Sequence, residues 1–232
     1  MVLPDNYETT YTCINGRGTT AKIFVNSDYS KAYKIYRKNF LYEDDKFKTF
    51  LTFQNPNFFT PIDTVSLESD RNKYVGYEMN YDTGISLPNL KDQNLVDLIN
   101  SSKNIYPNLK DLSAYHFLIM DPNVENITFS TEFKFVDTYS FLLLKSYSQE
   151  LILKRNMIKI NDAVMSGLIN SSYKKAIVDY LKNSHSKYLE MFINLIQNNL
   201  DNADYIYNIL SILEEVTKED ELSRVRKIVC DK

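Results

Sequence analysis

The spacing of polar and apolar positions changes part-way along the chain. Up to Asn80 it is dominated by short alternating runs rich in Thr, Tyr, Val and Ile, the pattern of half-buried strands. Strands are predicted over residues 8–14, 20–25 and 31–37, with turns at Asn15-Gly16-Arg17-Gly18 and Asn26-Ser27-Asp28. Connections this tight make an antiparallel meander. Phe47, Phe50 and Leu51 then recur at helical spacing, predicting a helix over 42–53 that Asn55-Pro56-Asn57 stops. Two more strands are predicted at 62–67 and 73–79, across a polar turn at 68–72.

Tyr81-Asp82-Thr83-Gly84 reads as a linker, and beyond it the period is helical. Helices are predicted over 92–101, 108–117, 186–197 and 204–215, and from about 148 onward the chain reads as helical throughout. One hairpin interrupts this half, with strands at 127–129 and 133–136 around Ser130-Thr131-Glu132. Strands followed by helices argue for an α+β fold with a five-stranded antiparallel sheet and one helix, then a mainly helical part. The division expected is 1–79, a hinge at 80–84, and 85–232.

Composition narrows the function classes. Hydrophobic residues make up 44% of the 232 positions and charged residues 25%, an ordinary globular mix. A net charge of −3 gives no reason to expect nucleic acid or an acidic membrane surface as partner. No apolar run reaches membrane-spanning length and the first residues lack a secretory pattern, so the expected location is the cytoplasm. The two cysteines, Cys13 and Cys230, form no CxxC pair and are expected as reduced thiols. His116 and His185 are the only histidines, too few for a histidine-rich metal site. Arg224, Arg226 and Lys227 read as a solvated helix end.

The residues that could carry chemistry lie between Gly16 and Asp137. Asp121-Pro122-Asn123-Val124-Glu125-Asn126 sets an Asp and an Asn five positions apart, and Asp137 follows the hairpin. Phosphoryl transfer uses such groups: one carboxylate for the acceptor's proton, an amide oxygen and a second carboxylate for magnesium on the phosphates. A hairpin whose first strand opens after Asn126 and whose second closes before Asp137 would let both side chains face one metal. Taken alone, such a pair is as well explained by a turn with capping side chains.

The segment resembles the catalytic loop and metal-binding Asp of the protein-kinase-like superfamily, whose members include protein kinases and aminoglycoside-type phosphotransferases. The resemblance implies that Asp121 is the catalytic base and that Asn126 and Asp137 are magnesium ligands. Departures are plain: Ile119-Met120 stands where His-Arg is usual, Asp137-Thr138-Tyr139 replaces Asp-Phe-Gly, and no Ala-Pro-Glu follows. Upstream, Gly16-Arg17-Gly18-Thr19-Thr20-Ala21 resembles the glycine-rich loop, with Ala21 in place of its third glycine. The resemblance assigns Gly16, Gly18 and Thr19 to the phosphates; an ordinary hairpin turn is the plain alternative. Ala32-Tyr33-Lys34 looks like the Ala-x-Lys strand, which makes Lys34 the α- and β-phosphate contact.

The resemblance also calls for an acidic partner of Lys34 on the following helix. Glu43 shares a face with Phe47 and Phe50, with Asp44 as the alternative, although an acid at a helix start is equally favoured by the helix dipole. Tyr77-Glu78-Met79-Asn80-Tyr81-Asp82-Thr83-Gly84 resembles the hinge, so Glu78, Met79 and Asn80 are the expected nucleotide contacts, mainly through backbone groups. The motifs follow the family's order over residues 14–137. They imply a two-lobed kinase-like fold, with ATP and Mg²⁺ bound and phosphate passed to a protein or small-molecule hydroxyl. The compact segment after Asp137 is closer to small-molecule or atypical bacterial kinases. A pseudokinase-like module that binds nucleotide or a partner without turnover is the second expectation. A scaffold without nucleotide is the third.

Overall fold

The computed structural model describes residues 1–15, 20–81, 83–91, 95–173, 201–211, 213, 214 and 218. It is an α+β chain of two compact units, one of residues 1–83 and 135–140, the other of 84–134 and 141–232.

The first unit is built on one mixed six-stranded sheet. Its strands are β1 (Val2–Leu3), β2 (Thr12–Asn15), β3 (Ala21–Val25), β4 (Lys31–Tyr36), β5 (Asp63–Leu67) and β6 (Asp70–Asn80), in the order β1-β5-β6-β4-β3-β2. The expected sheet had five antiparallel strands. The sixth, β1, lies parallel to β5 with Val2 opposite Ser66. A two-residue strand has no period to read, which is why the pattern misses it. Residues 8–14 also depart from a single strand. Tyr7–Thr10 forms a helical turn, α1, in which the Thr9 and Thr10 hydroxyls donate to the Asn6 carbonyl. Threonine side chains that bond a nearby carbonyl compete with extended pairing in this way.

Alternation gives the sheet two different faces. Leu3, Phe24, Tyr33, Ile35 and Val65 form a core on one, with Tyr7, Tyr11, Leu67 and Val75 packed on it. Ala32, Lys34 and Tyr36 point the other way. Cross-strand register sets Met79 opposite Ala32 and Tyr77 opposite Lys34 on that same face. Helix α2 (Asp44–Thr52) buries Lys46, Phe47 and Phe50.

A close approach of strands is required at Gly76, which lies opposite Ile35 on β4 and opposite Val65 on β5, where the β5–β6 register shifts. A Cβ added at Gly76 would meet the Lys34 carbonyl oxygen at 1.9 Å. Only glycine lets β6 lie so near the strand that carries Lys34.

β7 (Ile85–Ser86), β9 (Ile127–Phe129) and β10 (Phe133–Phe135) make a three-stranded sheet in the order β10-β9-β7. β8 (Phe117–Leu118) pairs with β11 (Leu142–Leu143). The helices are α3 (Leu95–Ser102), α4 (Ile105–Ala114) and α5 (Gln149–Asn170). α4 starts earlier than the expected 108 because Pro107 falls in its first turn, where the missing N–H costs nothing. It ends before the expected 117 because His116 turns left-handed, φ 62°. Ser148 caps α5, its hydroxyl accepting from the Leu151 N–H at 3.3 Å. Residues 205–211 are helical, with Tyr205, Ile206, Ile209 and Leu210 buried. The expected helix over 186–197 lies outside the described residues. Among the described residues no helix is long and apolar enough to cross a membrane.

Candidate functional site

Lys34 is buried in the middle of the sheet, with only 9% of its side chain exposed. A buried ammonium needs a compensating anion, and it has one. Lys34 Nζ donates to Oδ1 of Asp137, whose side chain is about one-third open to solvent. Nζ also lies 5.6 Å from the centre of the Tyr36 ring.

The backbone places Asp137 for this pairing. Its φ is 58°, in the left-handed region that a short polar side chain tolerates better than most. The next three residues form a single 3₁₀ turn, Thr138–Ser140. The Asp137 carbonyl accepts from the Ser140 N–H at 3.1 Å and from the Ser140 hydroxyl at 2.8 Å. Residues 135–140 are tied to the segment after α2. Phe135 N–H donates to Asn57 O at 2.7 Å, and Phe59 N–H to Phe135 O at 2.9 Å. The buried Thr138 hydroxyl donates to Phe59 O at 2.8 Å. Phe58 stacks on Phe135 with ring centres 4.7 Å apart.

Around this pair lies a group of aromatic rings: Tyr36, Phe40, Tyr77 and Tyr139. Tyr77 is completely buried and its hydroxyl makes no hydrogen bond of normal geometry. Burial, reinforced by Tyr36, Asp137 and Tyr139, holds the Tyr77 phenol far above its usual range. Burial first, and the Asp137 charge second, do the same to Tyr36.

No family model and no curated protein matches this chain. The geometry of its own residues therefore carries the functional argument.

The partner of Lys34 is Asp137 and not Glu43. Glu43 is the N-cap of α2, with extended backbone, so it precedes the helical face on which Phe47 and Phe50 lie. Its carboxylate is mostly exposed and meets Lys46 at 3.2 Å. Asp44, the alternative, is bonded by Lys48 at 2.6 Å on the solvent side, and that bond holds its carboxyl below the usual range. The inward charge of α2 is Lys46, buried, with Nζ 4.5 Å from the centre of the Tyr139 ring.

The expected hinge residues lie within β6. Met79 shares the Lys34 face and is buried. Glu78 points to the opposite face beside Tyr33, 3.6 Å from Lys31, and its carbonyl accepts from Ile62 N–H at 2.9 Å. Asn80 accepts from Lys31 Nζ at 2.9 Å. The loop with Gly16, Gly18 and Thr19 lies outside the described residues.

Asp121 and Asn126 belong to the second unit. Asp121 is exposed in a segment without regular structure, and Asn126 ends a 3₁₀ turn, Val124–Asn126, shaped by the Asn123 side chain accepting from Glu125 N–H at 3.0 Å. The backbone ahead of Asp121 is held from α5, by residues that sequence reasoning did not single out. Fully buried Asn156 accepts from Ile119 N–H at 2.9 Å and donates to Phe117 O at 2.9 Å and Ser113 Oγ at 3.1 Å. Lys159 Nζ donates to Met120 O at 2.7 Å. Lone polar residues inside a helical pattern have no local signature, so only the fold reveals them.

The magnesium ion expected from the sequence would find one protein donor at this pair. Among the described residues Oδ2 of Asp137 has no hydrogen-bond partner, leaving a hard carboxylate oxygen free. No cluster of three or more His, Cys, Asp or Glu that could hold a metal exists among the described residues. Magnesium suits such a site, because it is commonly held by one or two protein oxygens together with substrate phosphates.

Proposed function

We propose that this chain is an ATP-dependent phosphotransferase of the two-lobed protein-kinase-like type. The observation that carries the reading is the pairing of buried Lys34, in mid-sheet, with Asp137 after the hairpin. A desolvated ammonium beside a carboxylate that keeps one oxygen free suits phosphate oxygens and a hard cation together. In this reading Lys34 contacts the α- and β-phosphates, and Met79 and Ala32 lie beneath the base. Asp137 would hold Mg²⁺, with Asn126 as second ligand only on the strength of the sequence resemblance, and the ion would neutralise charge on the phosphates. Asp121 accepts the proton of the acceptor hydroxyl as its oxygen bonds to the γ-phosphorus. The bond from that phosphorus to the bridging oxygen breaks, and ADP leaves. The backbone bonds from Asn156 and Lys159 support a fixed position for Asp121.

A second reading, a nucleotide-binding module without turnover, is favoured by one observation. Neither of the two expected acidic partners is paired with Lys34, since Glu43 and Asp44 are bonded to Lys46 and Lys48. Transfer of γ-labelled phosphate, to protein acceptors and to small hydroxyl compounds, separates the two. Label transfer lost in Asp121→Asn supports the enzyme. Nucleotide binding with no label transferred, and no ADP formed, supports the module.

A further inference from the structure

We propose that Tyr139 is the positioning residue for Asp137, linking α2 to the Lys34 site through its hydroxyl where a Lys34–Glu43 ion pair was expected. The functional consequence rests on the phosphotransferase reading; the positioning itself does not.

The Tyr139 oxygen sits at the start of α2 and uses both its capacities. It accepts from the Glu43 N–H at 3.0 Å and donates to the Leu41 carbonyl at 3.2 Å. Its ring is fixed by Phe40 at 5.1 Å, Tyr77 at 5.3 Å and Phe50 at 6.2 Å, and Lys46 covers it. Asp137 lies two residues away, joined by one 3₁₀ turn whose hydrogen bonds end on its own carbonyl. So short and bonded a turn cannot absorb a shift of Tyr139, and Asp137 must follow it. The Glu43 backbone, rather than its carboxylate, is thus what α2 contributes. Lys34 keeps Asp137 as its anionic partner. The link between α2 and the Asp137 segment is neutral, so added salt does not screen it as it would an ion pair.

Tyr139→Phe tests this, because it keeps the ring and removes only the hydroxyl. In the ligand-free protein, modification of Lys34 by an amine-acylating reagent is read by mass spectrometry, and exchange of the Glu43 amide by NMR. Both rates are expected to rise about tenfold, the scale of one lost hydrogen bond. With ATP present, the Mg²⁺ concentration for half-maximal binding is expected to rise by a similar factor, while ATP affinity in EDTA stays within about twofold. Wild-type rates of Lys34 acylation in Tyr139→Phe overturn the proposal, whatever the melting temperature. If the wild type binds no Mg·ATP but Tyr139→Phe still exposes Lys34, the positioning role stands and the phosphotransferase reading falls.

Discussion

Asp137 closes an ion pair with Lys34, 103 positions earlier in the chain, from a left-handed backbone conformation. The two partners are unequally buried, with 9% of the Lys34 side chain exposed against 33% for Asp137. That asymmetry has energetic consequences, because water can replace Lys34 around Asp137 far more easily than it can replace Asp137 around Lys34.

Asp137→Asn tolerates the positive φ but strands a buried ammonium, and about 2–3 kcal/mol of stability is expected to go, below the range for a fully buried pair. Lys34→Met fills the same space without charge and leaves a solvated carboxylate, so it is expected to cost about 1 kcal/mol or less. The double variant is expected to lie near Lys34→Met. Urea unfolding of the three checks the order; equal losses in the two single variants would contradict it.

Gly76→Ala places a methyl group against the backbone of Lys34. The 1.9 Å approach cannot be relieved by rotating a side chain, so β6 and β4 must part. A loss of about 3 kcal/mol or more is expected by chemical denaturation, as overpacking at the top of its usual range. Faster amide exchange is expected along β4.

Asn156→Leu strands the buried Ile119 N–H and takes one donor from the Phe117 carbonyl. The stranded N–H sets the scale of the loss, about 1–3 kcal/mol. If Asp121 is the base, the residual folded enzyme should lose kcat while its KM for ATP changes little.

Tyr77 ties the aromatic group to pH. Its folded pKa is raised by burial above the ordinary value of 10.0, so above pH 10 the unfolded chain has released the proton and the folded chain has kept it. Fewer protons on the unfolded state means that stability falls as pH rises, by about 1.4 kcal/mol per unit for this one phenol. The contribution is complete below pH 10 and lost above it. Tyr77→Phe removes a buried hydroxyl that makes no hydrogen bond of normal geometry, with the Tyr36 hydroxyl beside it, and is expected to change stability at pH 7 by no more than about 1 kcal/mol. Urea midpoints from pH 8 to 11 should flatten in the variant.

The strand around Lys34 and the hairpin before Asp137 were legible in the sequence because each is a local pattern; the ion pair between them was not, since it joins segments 103 positions apart and the resemblance gave Lys34 an acidic partner on α2. Alternation also placed β3, β4, β5 and β6, and helical spacing placed α2 and α5. Glu43 was misread for a specific reason. Helical spacing counts i, i+4 and i+7 from any residue, but Glu43 stands one position before the helix, where the backbone is extended and its side chain leaves the face. Lys46, three residues on, takes the inward position. β1 and the Asn156 anchor depend on contacts with distant segments, and two residues or one amide leave no period to detect.

The measurement that tests the account most directly is a thermal-shift titration with ATP, with and without Mg²⁺, on wild type, Lys34→Met and Asp137→Asn. A ligand bound only to the folded state at a hundred times its Kd stabilises by about 2.7 kcal/mol, enough to raise Tm by several degrees in a chain of this size. The account predicts a magnesium-dependent rise in the wild type that both variants lose. No rise up to millimolar nucleotide, or a rise that both variants retain, would contradict a phosphate site at Lys34 and Asp137.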